Sequence, residues 1–214
     1  MKYELTNETH PDHPTLYRIR ALRDIPERGV KSGDLGGWVE SEGNLSHECA
    51  AWVSGDARVF GTAQVSGNAR VYGDASVYGH ARVADNASVY GNARVYGGAR
   101  VYGDASVYGN DAQVYGGAWV HGDARVFGDA QVYVARHVTT LGPVGSEDRV
   151  VTIYRDKDGT ARIVAGCWTG TPDELAERIK GAWPGASKPE RQAWKADYKT
   201  VIKLARRREK EWNK

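Results

Sequence analysis

Outside its phenols, this chain holds few side chains suited to chemistry: 6 His and 2 Cys in 214 residues. Near the start, His10-Pro11-Asp12-His13-Pro14 sets two imidazoles and a carboxylate close together, residue types that hold a transition metal. The flanking prolines make this stretch a loop first, and we assign no metal and no cofactor to the chain. Cys167 is a nucleophile by type, but no histidine lies near it in sequence, so a buried structural thiol is expected. Cys49 and Cys167 lie far apart, without a disulfide framework or metal-ligand spacing, and this points to a reducing, cytoplasmic location. No apolar run is long enough for a membrane span, and Met1-Lys2-Tyr3-Glu4 is no signal peptide.

The tyrosines stand apart, because they recur. From Ala51 to Val132 the chain repeats Ala-x-Val-[Tyr/Phe/Ser]-Gly-[Asp/Asn], with one residue inserted at Asn110-Asp111. Ala and Val, two apart, face the same way on a short extended segment, and their small or β-branched side chains suit a narrow dry core. Gly followed by Asp or Asn supplies a corner. A fixed short period of this kind predicts a solenoid. Read at every third unit, one row of residues after the valines runs Phe60, Tyr78, Tyr96, Tyr115 and Tyr133. A second carries Tyr72, Tyr90, Tyr108 and Phe127, preceded by Ser54, and the third is mixed: Ser66, Ala84, Tyr102 and His121. Successive rings in a row are expected about one strand spacing apart, ~4.8 Å, close enough to stack. Such ladders either stabilise parallel strands as matched cross-strand neighbours or form a contact surface.

The repeat resembles the hexapeptide-repeat family, whose coils are left-handed triangular β-helices with three hexapeptide units per coil. The handedness is what that resemblance implies. One departure is that many hexapeptide enzymes place Gly directly after the aliphatic residue, where Tyr often stands here. Upstream, LYRIRALRDI, VKSGDLGGWVESEGNLS and AWVSGDARV resemble phage and prophage β-solenoid proteins of the YdcK type, and AGCWTGTPDEL is similar to C-terminal modules attached to them. The hexapeptide family includes acyltransferases with a histidine base between coils, which makes His80, His121 and His137 the candidates for that chemistry. None has an orienting carboxylate in its sequence neighbourhood except His121, with Asp123 two residues on. The protruding loop that often shapes acyltransferase pockets is missing too. Related hexapeptide proteins are commonly trimers packed side by side.

Around the coils, Tyr3-Glu4-Leu5-Thr6 and Leu16–Leu22 alternate as two strands of an N-terminal cap, and Val39 and Leu45 extend the valine columns backwards. After them, Val150–Tyr154 and Ala161–Ala165 flank an Asp-Gly hairpin turn. Thr171-Pro172-Asp173-Glu174 opens a helix with Leu175, Ile179 and Trp183 on one face. Ser187-Lys188-Pro189-Glu190 opens another, with Trp194, Tyr198, Val201, Ile202 and Ala205 on one stripe. From Ser187 onward, 10 Lys or Arg face 4 Asp or Glu. Between Ala51 and Val138, seven Arg balance seven Asp, with no Lys or Glu. That neutral coil is neither a DNA mimic nor a DNA-binding surface, and nucleic acid is not the expected partner even with Arg206, Arg207 and Arg208 in the tail.

The expected architecture is mainly β: a cap over 1–35, a solenoid over 36–138, a hairpin-plus-helix module over 139–186 and a basic amphipathic helix over 187–214. The expected function is a non-catalytic scaffold, homo-oligomeric with a trimer favoured, that binds a protein partner through the two ladders. If the chain is phage-borne, that partner is a host or defence factor or a virion component. The alternative is a hexapeptide-family acyltransferase.

Overall fold

Most six-residue units fold as a two-residue strand and a corner, as in Arg58–Val59, Gln64–Val65 and Arg70–Val71. The computed structural model describes residues 1–214. Strands pair in parallel with the strand three units on: Val53 with Val71, Val59 with Val77, Val65 with Val83. The insertion at Asn110-Asp111 is absorbed at a corner, so that Val95 still faces Val114 and Val107 still faces Val126. Cys49-Ala50 is absorbed likewise, leaving Val39 opposite Val59 and Leu45 opposite Val65. The result is a parallel β-solenoid whose interior is the Ala and Val columns, all buried from Ala51 to Val132.

Corner spacing explains the glycine column. Gly103 has φ +71°, and a Cβ built there would lie 2.9 Å from the backbone nitrogen of Gly122 in the next coil. Asp85 replaces glycine in this column at φ 58°. Aspartate tolerates the left-handed region, and its Oδ2 accepts the Gly103 N–H at 3.0 Å.

Both ends of the stack are closed. At the start, Tyr3–His10 and His13–Ala21 form an antiparallel hairpin. Leu35–Val39 pairs antiparallel with the hairpin and parallel with the first coil, so that the cap continues one solenoid face as a single eight-stranded sheet. Tyr3, Ile19, Ala21 and Ile25 plug the core. The Tyr3 hydroxyl donates to the Leu45 carbonyl at 2.8 Å. Lys2 is fully buried and donates to the Ala51 carbonyl at 2.7 Å, and burial, with Arg23 near, lowers its pKa to about 8.

The other end is covered by a four-stranded antiparallel sheet ordered Val138–Val144, Arg149–Arg155, Ala161–Ala165, Trp168–Gly170. Neighbouring residues on a strand point to opposite faces. Tyr154 and Val164 therefore join the solenoid core, while Ile153 and Ile163 form a second core beneath the helices. Helix α1 spans Pro172–Arg178 and helix α2 spans Lys188–Trp212. Val201, Ile202 and Ala205 of α2 lie on that second core. The last coil would otherwise expose its backbone. Instead the Arg125 N–H donates to Thr152 Oγ1 at 3.1 Å, the Lys157 N–H donates to the Asp129 carbonyl at 2.9 Å, and Ala130 bridges Asp156.

Several expectations change in detail. The His10–Pro14 loop is a tight link, since the flanking strands reach His10 and His13. Helix α1 stops at Arg178, ahead of Gly181 and Pro184, and Trp183 sits outside it at φ 58°. Leu175 and Ile179 are buried all the same, and the Trp183 ring stacks on Tyr198 of α2 at 5.6 Å. Cys167 is exposed rather than buried. It forms, with Gly166 at φ 62°, the two-residue link between the paired residues Ala165 and Trp168, and the tip of a hairpin has nothing to cover it. No helix is long and apolar enough to cross a membrane.

Candidate functional site: stacked aromatic ladders

The parallel register sets each ring directly over its counterpart one coil away. On the first face Phe60, Tyr78, Tyr96 and Tyr115 stack at 4.9 Å between centroids, with planes within 3° of parallel. On the second, Tyr72, Tyr90 and Tyr108 stack at 4.8 and 4.7 Å, and Phe127 continues the row at 4.8 Å. The spacing is that of the strands, because the backbone ladder carries the rings. Tyr72 is 36% exposed, and the other rings are half-buried by their neighbours. Burial, and then the adjacent phenols, raise the Tyr90 and Tyr96 hydroxyls above the usual tyrosine pKa, and burial alone raises Tyr72. Locked rings with polar tips lose little side-chain freedom when covered, which suits them to an interface.

The far rungs have internal neighbours. Tyr133 tilts 35° from Tyr115 and meets the edge of His137 at 4.2 Å, with the Arg155 guanidinium over its ring. Phe127 packs against the core and meets Tyr154 at 5.8 Å. Tyr108 Oη accepts from Arg125 at 3.2 Å, and the same guanidinium reaches the Gly166 carbonyl. The central rungs, Tyr78 with Tyr96 and Tyr72 with Tyr90, are thus the parts of the ladders free of the C-terminal sheet. The third row holds only the pair Tyr102 and His121, stacked at 5.3 Å, beside Trp119, which lies under Arg100.

The three coil histidines do not converge. His80 is an exposed corner residue, its Nδ1 2.6 Å from Thr62 Oγ1. His121 is exposed on the third face and hydrogen-bonds no carboxylate. His137 is buried between Tyr133 and Trp212, and desolvation, with Arg155 near, lowers its pKa to about 4. Each therefore lacks the carboxylate that orients a general base. In the N-terminal turn, His10 Nδ1 accepts the Asp12 N–H at 3.1 Å, and its ring meets the edge of Trp38.

Sequence reasoning missed an acidic group, Asp129, Asp156 and Asp158, whose oxygens lie within 4.8 Å of one another. The buried Asp156 carboxylate is already occupied, accepting the N–H groups of Asp158 and Thr160 and the Arg162 guanidinium at 3.0, 2.8 and 3.0 Å. It organises the hairpin turn at Asp158-Gly159. The signal for it was an aspartate two residues before Asp-Gly.

Two segments, 63–79 and 87–103, match the family model described as YdcK Beta solenoid repeat. No curated protein matches the chain. The matched segments lie within the stack of paired coils and include Tyr72, Tyr78, Tyr90 and Tyr96. Coil geometry and these two matches agree: the chain is a β-solenoid repeat protein, two segments of which are similar to YdcK repeats.

Proposed function

We propose that the protein is a non-catalytic interaction scaffold whose aromatic ladders are an association surface. The observation that carries this reading is the in-register stack of half-exposed tyrosines on two faces, Tyr72-Tyr90-Tyr108 and Tyr78-Tyr96-Tyr115. The stack supplies apolar area, phenol tips and rigidity together. With both ends capped, association proceeds through the sides of the solenoid, which favours a side-by-side homo-oligomer, a trimer first, and then a foreign protein partner. The resemblance to phage and prophage solenoids supports a host or defence protein, met in the host cytoplasm, as that partner.

The test is Tyr90→Ser with Tyr108→Ser, a residue the chain already uses at Ser54 and Ser66. Light scattering on a size-exclusion column should show weakened association, with circular dichroism unchanged. A parent that runs as a monomer would remove the self-association version. An unchanged oligomer in this variant, and in Tyr78→Ser with Tyr96→Ser, would leave the rings a purely structural part.

A further inference from the structure

Outside the ladders, α2 and the stretch from Ala176 to Lys180 line an open groove of about 1130 Å³ with a one-sided charge distribution. Its lining includes seven Lys or Arg and no Asp or Glu. Ala176 and Leu204, half-buried, form its aliphatic floor, with the buried Ile179 and Ile202 beneath them. Two of the cations are neutralised from outside, Lys180 by Glu177 and Arg206 by Asp173. Lys195, Lys199, Lys203 and Arg207 follow one another at every fourth position of α2, and Lys210 extends the row. Lys199, Lys203 and Lys210 pair with no carboxylate, and Arg207 only reaches Glu211 at 3.7 Å.

Like charges four apart on a helix repel and weaken it. On the same helix Glu211 pairs with Arg208 at 2.9 Å, whereas Glu190 is taken up by the Ser187 cap. The unpaired row is therefore a cost to folding that an anionic ligand would relieve. Its cations recur about every 6 Å along α2, the interval at which carboxylates recur on every fourth residue of another helix.

We propose that this groove binds an acidic amphipathic helix of a protein partner, its carboxylates along the Lys195–Lys210 row and its aliphatic face on the half-buried Ala176 and Leu204 and the alkyl stems of the lysines. The proposal rests on the scaffold reading only in taking the partner to be a protein. The chemistry fits a peptide better than a nucleic acid. No aromatic residue lines it, Trp183 of the same module packing instead on Trp194 and Tyr198, so no ring offers a base platform. The coils add no positive field. A recessed groove also fits a helix better than the flat face of a bilayer.

The test uses the full chain and a labelled amphipathic helical peptide, with Glu at every fourth position and Leu on the opposite face, followed by fluorescence anisotropy. A saturable complex that weakens with salt is expected. Lys199→Glu with Lys203→Glu should weaken it by about tenfold or more, and Lys199→Ala with Lys203→Ala serves if the reversal unfolds the helix. Tyr90→Ser with Tyr108→Ser should leave it unchanged, so failure of the groove and failure of the ladders are read separately. Equal binding of a scrambled peptide of the same composition, or no saturable binding, would overturn the proposal. So would tighter binding of single-stranded DNA or of phosphatidylserine vesicles than of the peptide.

Discussion

Val89→Asp would put a carboxylate where the solenoid has no water and no partner. Val89 is fully buried, in register between Val71 and Val107, and Ala87 and Ala93 beside it in the chain are buried too. Truncation sets the lower bound. Val89→Ala loses about 1.6 kcal/mol for two buried carbons at ~0.8 each, and a cavity term brings the total to about 2–3 kcal/mol. Val89→Asp costs several kcal/mol beyond that, because the carboxylate is either charged and unpaired or must be protonated to stay inside. A mid-stack site weakens the coil interfaces on both sides. In a chain of this length each kcal/mol moves the melting temperature by roughly 2–4 °C. Val89→Ala should then melt about 4–12 °C below the parent, and Val89→Asp far lower. Ser88→Asp places the same charge one residue away on the outer surface and should stay within about 0.5 kcal/mol of the parent. Thermal melts followed by circular dichroism decide it. A Val89→Asp protein that melts with the parent, or a Ser88→Asp protein equally damaged, would refute the inward and outward assignment.

Other consequences are equally direct. His137 has its folded pKa lowered to about 4, so the unfolded chain binds a proton that the folded chain refuses below the ordinary histidine pKa. Stability should fall between about pH 6.5 and 4, by up to about 3 kcal/mol, and His137→Gln should flatten that limb in urea titrations at stepped pH. A limb unchanged in the variant would assign it to other groups. Asp85→Ala should cost about 1–2 kcal/mol, from the left-handed backbone and the lost Gly103 N–H acceptor, while Asp85→Asn costs much less. Equal melting of the two variants would contradict that account. Cys49 and Cys167 should both react with a thiol reagent in the native protein, and a Cys167 that reacts only after denaturation would restore the buried-thiol expectation.

Much of the solenoid could be read from residue order because its local and long-range signals share one period. The Ala-x-Val pairs fixed the inward face, and counting three units per coil put Tyr78 over Tyr96 and Tyr90 over Tyr108, as the structure has them. Even Leu45, embedded in a polar stretch, fell on its column. The ends were harder, since they are built once and repeat nothing. Lys2 and Asn44 are polar by type, yet both are buried and hold the first coil by hydrogen bonds to backbone carbonyls, Asn44 to those of Gly61 and Ala63. Two strands of the C-terminal sheet were missed. Val138–Val144 contains Gly142-Pro143, which breaks the alternation, and Trp168–Gly170 is too short to show one. The basic groove was legible only as an excess of charge, because its shape depends on α1 folding back against α2.

The ladders are proposed to be covered when the protein associates, and hydroxyl-radical footprinting read by mass spectrometry measures that residue by residue. The protein would be labelled at concentrations where it is associated and again after dilution. Tyr72 and Tyr90, or Tyr78 and Tyr96, should lose reactivity on association, while Tyr17, exposed on the N-terminal hairpin, keeps its own. Ladder tyrosines that react at one rate at every concentration, with and without host extract, would contradict the claim.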